Sequence, residues 1–234
     1  MRKLIATLLL AFWPGMILAQ GPMFRGLNYS PTIPHVQIYS ESFAYANGSD
    51  LQTVAPALWQ YSASQTTNPV GFQVKVFDSV SHLYAWNETN CCYHPANAKY
   101  VGPGTINTDQ YSSVTYGGIT SVSLGAAVRI NGGSWYDAQC DTGSGGRCNI
   151  NKVSNYVTSF AIATCPNAAT TPTIELDAVG TSPTKLTLLI NGNICARYTD
   201  SASPITSGGV GISNVYGASN SDATFITSAS GGNL

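Results

Sequence analysis

The stretch Thr173–Ile212, TIELDAVGTSPTKLTLLINGNICARYTDSASPITSGGVGI, decides the fold of this chain. Apolar and acidic residues alternate over Ile174–Ala178, which is the period of a strand with one dry face and one wet face. A second apolar run, Lys185–Ile190, ends at Asn191-Gly192, a dipeptide that favours a tight type I′ turn between antiparallel strands. Asn193–Tyr198 is then the returning strand. The stretch predicts a three-stranded antiparallel meander inside a β-sandwich.

Similar short runs elsewhere predict more strands of the same kind. They cover Val36–Phe43, Gly71–Val76, Ser81–Trp86, Tyr111–Ile119, Ser121–Ile130, Trp135–Cys140, Cys148–Val153 and Ser159–Thr164. A short helical turn fits Leu51–Leu58, and Trp59 is predicted to lie in the core. Residues 87–104, NETNCCYHPANAKYVGPG, are interpreted as a long irregular loop.

The composition points to the same class of fold. The chain has 234 residues, of which 44% are hydrophobic and only 9% are charged. Long exposed helices need charged faces, so this balance favours short strands joined by polar turns. The length predicts one domain of sandwich size.

Residues 1–20 are typical of a signal peptide, with Arg2 and Lys3 before the apolar run Leu4–Phe12 and a small residue, Ala19, near the expected cleavage point. An uncleaved membrane anchor is the alternative. Removal of the leader lowers the basic count from 10 to 8 against 11 acidic residues, a net charge of −3. We therefore expect an exported protein with no basic patch for nucleic acid and no membrane insertion after cleavage.

The leader is followed by three predicted segments. Residues 21–35 are interpreted as an extended, proline-containing lead-in. Residues 36–228 form the predicted domain, and residues 229–234 a flexible Ser/Gly-rich tail.

Six cysteines fit an oxidising compartment. Cys140 and Cys148 flank the loop DTGSGGR between two strand-like runs, so they are the preferred disulfide. Cys165 and Cys195 are the next pair. Cys91 and Cys92 are adjacent, and either bond each other or pair with other cysteines, because sequence alone cannot choose the connectivity.

Several motifs carry a family resemblance. The succession IELDAVGT, LTLLINGN, ARYTDS and PITSGGVGI follows DQYSSVTY and GAAVRINGGSWYDAQ, with SESFAYANGSDLQTVAPALWQ further upstream. Together these motifs resemble the concanavalin A-like lectin/glucanase domain in its secreted bacterial, laminin-G-like form. The resemblance covers roughly residues 36–228 and implies an all-β, two-sheet antiparallel jelly-roll sandwich. Lectins, glycosidases and adhesion modules share this architecture, so the resemblance implies a fold more strongly than an activity.

Aromatic residues near loops are the candidate ligand contacts. Carbohydrate binding needs flat aromatic faces together with short polar side chains. Trp86 with Tyr84, and Trp135 with Tyr136 and Asp137, supply both kinds of group near predicted loops. The alternative is that these aromatic rings fill the core or cover the sheets, as most do in a sandwich.

Glu175 and Asp177 are the candidate catalytic pair. Some glucanases of the resembling family carry two catalytic glutamates on a strand of the form E-[hydrophobic]-D-x-x-E, but Gly180 stands here in place of the second Glu. A retaining glycosidase places its carboxyl groups about 5 to 5.5 Å apart across the scissile bond. Acidic residues alternating with apolar ones are also what a solvated strand face looks like, so no catalytic residue is assigned.

Metal binding has weaker support in the sequence. The resembling domains often hold a structural Ca²⁺ next to an early strand, where Ser42 replaces the expected acid. Glu41 and Asp222 remain candidates, although calcium needs six or more oxygen ligands. Three histidines are interpreted as ordinary surface residues: His35, His82 and His94.

The sequence as a whole favours an exported, non-catalytic module that binds a glycan or another surface polymer. A glycoside hydrolase that uses Glu175 and Asp177 is the first alternative. A structural or adhesive surface protein that binds a protein partner is the second. No cofactor is expected apart from a structural calcium ion, and the oligomeric state is left open.

Overall fold

The computed structural model describes residues 34–63, 71–77, 80–86, 95–119, 124–141, 146–167, 169, 171–214 and 225–234. Fifteen strands and one helical turn cover most of these residues. In chain order they are β1 (Val36–Glu41), α1 (Leu51–Val54), β2 (Trp59–Ala63), β3 (Gly71–Phe77), β4 (Val80–Trp86), β5 (Ala96–Tyr100), β6 (Gln110–Gly118), β7 (Leu124–Asn131), β8 (Ser134–Asp141), β9 (Arg147–Ser154), β10 (Val157–Pro166), β11 (Thr173–Val179), β12 (Thr184–Ile190), β13 (Asn193–Asp200), β14 (Gly209–Asn214) and β15 (Phe225–Asn233).

The strands form two antiparallel sheets. The eight-stranded sheet has the order β13-β12-β11-β6-β15-β4-β3, with β1 paired to β15. The seven-stranded sheet has the order β10-β9-β8-β7-β14-β5-β2. Two antiparallel sheets, with the chain crossing from one to the other, are the arrangement of a jelly-roll sandwich. The structure therefore confirms the predicted all-β fold.

The predicted meander is confirmed. β11 pairs with β12, and β12 pairs with β13, both antiparallel. Asn191 and Gly192 at the β12–β13 turn have φ of 50° and 76°. Positive φ at both positions is what a type I′ turn needs, and it matches the right-handed twist of the strands it joins.

The core lies between the inner faces of the two sheets. Ile174, Leu176 and Ala178 of β11 are fully buried and belong to the same apolar cluster as Ala138 and Ile150 of the seven-stranded sheet. Trp59 is also buried there, as the sequence predicts. Each inward-facing residue alternates with an outward-facing one, because successive side chains of a strand point to opposite faces.

Two disulfides hold the seven-stranded sheet together and join it to the other. Cys140 bonds Cys148 across the β8–β9 pair, and their Cα atoms are 4.0 Å apart. Cys165 of β10 bonds Cys195 of β13, which links the two sheets over a Cα distance of 5.7 Å. Both pairings agree with the sequence prediction. Cys91 and Cys92 lie outside the described residues.

A buried polar network also bridges the sheets. The Tyr136 hydroxyl donates to Asp200 Oδ2 at 2.6 Å and accepts from the Ile205 backbone N–H at 2.9 Å. Lys152 Nζ donates to the same Asp200 oxygen at 2.6 Å. Burial alone would raise the pKa of Asp200, but the hydrogen bonds from Lys152 and Tyr136 outweigh it and lower that pKa. The β13 carboxylate is therefore fixed to two strands of the opposite sheet.

The C-terminal segment corrects one prediction. Residues 229–234 are predicted to be a flexible tail, but residues 229–233 belong to β15, which pairs with β1, β4 and β6. Ala229 is only 3% exposed. The Ser/Gly-rich composition suits close backbone packing, because a Cβ on Gly232 would lie 2.0 Å from the Val36 carbonyl oxygen.

A second correction concerns residues 87–104, which were interpreted as an irregular loop. Residues 96–100 form β5, paired to β2 and β14, and β2 was likewise not predicted. The small residues Ala96 and Ala98 alternate with polar ones, and this weak pattern hides a buried strand. Within the described part of the chain, no helix has the length and apolar character needed to cross a membrane.

We expect Gly232→Ala to destabilise the protein by about 1–3 kcal/mol, because the added methyl group overlaps the neighbouring strand. Urea unfolding followed by tryptophan fluorescence measures the change. An unaltered midpoint would contradict the pairing of β15, and would instead agree with a mobile C-terminal segment.

Candidate functional site

A row of polar side chains crosses the outer face of the seven-stranded sheet. We call this set the first polar row. Each member is paired directly with the next one on the neighbouring strand, so that the row crosses six strands. In order, the members are Asn149, Gln139, Gly125, Ser213, Asn97 and Ser62. Because they alternate with core residues, all of these positions lie on the side away from the other sheet.

A second polar row runs parallel to the first, two residues along each strand. Its members are Asn151, Asp137, Ala127, Gly211, Lys99 and Gln60. In both rows the two middle strands, β7 and β14, contribute only Gly, Ala or Ser. Amide, carboxylate and amino side chains stand on either side of these small residues. The two rows therefore form a polar trough with a low centre.

Several amides in the first polar row have unused hydrogen-bonding atoms. Neither Nε2 nor Oε1 of Gln139 has a hydrogen-bond partner among the described residues. The Oδ1 atoms of Asn97 and Asn149 also lack one there. All three side chains are at least nine-tenths buried. Buried amides are normally paired, so these atoms are free to bond water or a further molecule.

Asp137 lies at the centre of one wall of the trough. Its Oδ1 accepts from Asn151 Nδ2 at 2.7 Å, and its Oδ2 accepts from Trp135 Nε1 at 2.9 Å. Burial raises the pKa of Asp137 to about 6, although the hydrogen bonds from Asn151 and Trp135 oppose the rise. Asn151 Oδ1 in turn accepts from the Ala161 backbone N–H at 2.8 Å. The carboxylate and its amide neighbour are thus rigidly positioned.

Two turns reach across the trough. Asn97 Nδ2 donates to the Gly132 carbonyl in the β7–β8 turn at 3.1 Å. Tyr156, in the β9–β10 turn, forms a hydrogen bond through its hydroxyl with the Ser62 hydroxyl. The same tyrosine ring packs edge-on against Trp135, with ring centroids 6.2 Å apart. These contacts explain why the polar side chains beneath are buried although they lie on an outer face.

An open cavity of about 370 Å³ lies at one end of this sheet. Its lining includes Lys99 of the second polar row, Tyr100, Asn131 and Ser207. Aromatic, amide, hydroxyl and amino groups therefore meet at an accessible surface that adjoins the trough. This volume is in the range of small-molecule sites, which begins at about 300 Å³.

The predicted ligand contacts are only partly brought together. Asp137 lies in the polar trough. Trp135 lies on the same face but is fully buried beneath Tyr156, and Tyr136 points into the core, so neither aromatic ring offers a stacking surface. This corrects the prediction for both rings: outward and inward positions alternate, and the outward one is covered by a turn.

Tyr84 and Trp86 lie in β4 of the other sheet. The structure therefore does not unite them with Trp135. Their side chains are outside the described residues. The amides of the trough were missed by the sequence analysis, although the alternation D-A-Q in β8 and N-I-N in β9 was a signal that could have found them.

The acidic pair Glu175 and Asp177 lies on the outer face of the eight-stranded sheet. His35 joins them, with Nε2 3.6 Å from Glu175 Oε1. Burial and then the negative charge of Glu175 raise the pKa of Asp177 to about 7. Burial also raises the pKa of Glu175, whereas the neighbouring His35 lowers it in part.

This geometry differs from that of the glucanases. Ligand atoms of Glu175, Asp177 and His35 all lie within 4.8 Å of one another. In the glucanase strand the two catalytic glutamates stand at the ends of the motif, whereas Glu175 and Asp177 are two residues apart and Gly180 takes the place of the second glutamate.

The calcium candidates do not form a site within the described residues. Glu41 Oε1 accepts from the Phe43 backbone N–H at 2.9 Å, and Oε2 accepts from the Tyr45 hydroxyl at 2.8 Å. Both oxygens of Glu41 are thus engaged in holding the chain after β1. Asp222 lies outside the described residues.

Comparison with known proteins identifies the fold. No protein-family model and no curated protein sequence matches this chain. A Bacillus subtilis protein of unknown function with a galectin-like fold superposes with a TM-score of 0.52 at 11% identity, over 85% of this chain and 96% of that one. The fold is a galectin-like jelly roll. This class of sandwich includes the concanavalin A-like domains that the sequence motifs resemble.

Two other solved structures are similar to the chain at lower scores. The carbohydrate-binding module CBM66 from Bacillus subtilis aligns with a TM-score of 0.47 at 12% identity, over 75% of this chain and 94% of the module. The carbohydrate recognition domain of Emp47p aligns with a TM-score of 0.45 at 14% identity, over 83% of this chain and 95% of that domain.

We expect the Asp137 carboxyl to titrate near pH 6 instead of near its ordinary value of 3.8. The folded protein holds this proton more tightly than the unfolded chain does. The group therefore stabilises the fold at low pH, and this contribution is lost as the pH rises through about 6. Carbon-13 NMR of the labelled carboxyl groups measures the midpoint, and Asp137→Asn assigns the signal. A midpoint near 4 would show that the site is well solvated.

Proposed function

We propose that this protein is a non-catalytic carbohydrate-binding module whose ligand contacts come from the polar trough. The observation that carries the proposal is the first polar row, where three buried amides present four atoms without partners among the described residues. An amide side chain both donates and accepts, so it suits sugar hydroxyl groups, which also do both.

The shape of the trough supports the same ligand class. Gly125 and its small neighbours at the centre are buried under longer side chains, since a Cβ on Gly125 would lie 2.5 Å from Gln139 Cγ, and the ligand contacts therefore come from the walls. Once the turns that carry Gly132 and Tyr156 move aside, polar side chains on both walls reach the ligand from two sides. The adjoining open cavity, with Lys99 and Tyr100 in its lining, supplies an entrance and an aromatic edge. A galectin-like sandwich is compatible with this use, although the fold alone does not decide it.

We further propose that the protein works outside the cytoplasm. The predicted signal peptide, residues 1–20, lies outside the described residues. The disulfides Cys140–Cys148 and Cys165–Cys195 support export, because such bonds persist in oxidising compartments. Outside the cytoplasm, glycans and other surface polymers are available as ligands.

The proposal predicts that Gln139→Leu reduces glycan affinity about 5- to 150-fold. The substitution keeps the volume of the side chain and removes two hydrogen-bonding atoms, which are worth about 0.5–1.5 kcal/mol each to a bound ligand. A glycan array identifies the bound sugar, and calorimetry with that sugar compares the affinities. The melting temperature should stay equal or rise, because two unpartnered buried atoms are lost.

Gln52→Leu is the matched control, since it makes the same chemical change at an exposed position of α1. Its affinity should equal that of the unmodified protein. If Gln139→Leu bound the glycan as tightly as the unmodified protein does, the polar trough would not be the binding site. An array without any bound glycan would contradict carbohydrate binding and would favour the adhesive alternative.

We expect no release of reducing sugar from β-glucans by the unmodified protein or by Glu175→Gln. Gly180 stands where these glucanases have their second catalytic glutamate, so Glu175 lacks its partner. A reducing-end assay over several hours measures hydrolysis. Activity that disappears in Glu175→Gln would establish a hydrolase and would overturn the non-catalytic assignment.

A further inference from the structure

A second group of chemically active side chains lies on the other sheet, apart from the polar trough. Glu175 and Asp177 alternate with core residues along β11, so both carboxyl groups point away from the interior. His35 precedes β1 and packs over the same surface. Its ring stacks on Tyr111, with centroids 4.3 Å apart and planes at 17°. Tyr111 is the β6 residue paired directly with Asp177.

The three side chains lie close enough together to share one ion. His35 Nε2 and Glu175 Oε1 are 3.6 Å apart, which is longer than a good hydrogen bond. Two ligand atoms that each lie about 2.0–2.1 Å from a tetrahedral zinc ion are themselves about 3.4 Å apart. The Asp177 carboxyl completes the group, with all ligand atoms within 4.8 Å of one another.

Burial of Asp177 is an independent indication. The residue is only 9% exposed, and its Oδ1 has no hydrogen-bond partner among the described residues. A carboxylate oxygen buried beside a second carboxylate is unfavourable unless a proton or a positive charge compensates it. A bound cation would supply that positive charge and would also pair the free Oδ1 atom.

We propose that His35, Glu175 and Asp177 bind a divalent first-row transition-metal ion, with Zn²⁺ as the best fit. An imidazole nitrogen with two carboxylates suits zinc and its neighbours, whereas calcium needs six or more oxygen ligands. Three protein ligands leave a coordination position open at the surface. The ion would also fasten the segment before β1 to β11, which lies 140 residues further along the chain.

Zinc binding to the untagged full-length protein tests the proposal. Calorimetry with ZnCl₂ should show one ion per chain, and Zn²⁺ should raise the melting temperature because it binds the folded state. His35→Gln should weaken the affinity at least tenfold, since loss of even an outer partner of a metal ligand costs 10- to 100-fold. CaCl₂ at the same concentration should leave the melting temperature unchanged.

The double variant His82→Gln/His94→Gln is the matched control, because it removes the other two histidines and keeps the proposed ligands. It should bind zinc with unchanged affinity. His35→Gln changes a side chain at the surface, so the variant remains folded and its binding is measurable. Equal zinc affinity of His35→Gln and the unmodified protein would overturn the site, as would the absence of stoichiometric binding.

Discussion

The packing of two sheets on one dry interior determines where every functional side chain of this protein can stand. Along β11 and β8 each residue that enters the interior is followed by one that faces outward. Apolar side chains occupy the inward positions almost throughout, so amides and acids are gathered on the two outer faces. The acids of β11 and the amides of β8 and β9 are thus products of the same alternation.

The two outer faces have different chemistry because their sequences fill the outward positions differently. On the seven-stranded sheet, small residues in β7 and β14 separate walls of Asn, Gln, Asp and Lys, and the result is an extended hydrogen-bonding surface. On the eight-stranded sheet, two acids and one histidine converge on a point. An extended row of hydrogen-bonding groups suits a polymer with many hydroxyl groups, while ligand atoms that converge on one point suit a single ion.

Much of the fold could be predicted from the sequence, because the meander at Thr173–Ile212 has strong alternation and the Asn191-Gly192 turn has its own conformational requirement. The Cys140–Cys148 disulfide could be predicted from the strand-like runs that flank it, and Cys165–Cys195 followed as the next pair. β5 and β15 could not. Their residues are small and polar, and the partners that bury them come from distant parts of the chain.

The polar trough and the acidic pair with His35 were less predictable, because distant parts of the chain bring their residues together too. A single strand shows that Gln139 faces away from the core, but not that Asn97 stands on the same row several strands away. The burial of Trp135 depends on Tyr156, which arrives from a separate turn. His35 was interpreted as a surface histidine because its partners lie 140 residues further along the sequence. In all three cases the outcome depends on which distant segments lie side by side in the fold. Local sequence patterns do not contain that information.

The position of β15 has a consequence for how the protein is made. This strand lies between β6 and β4 in the middle of the eight-stranded sheet, and it also holds β1. Neither half of that sheet is complete until residues 225–233 have left the ribosome. Until those residues are available, β6 and β4 lack the strand that joins them, so the two parts of the eight-stranded sheet cannot pair.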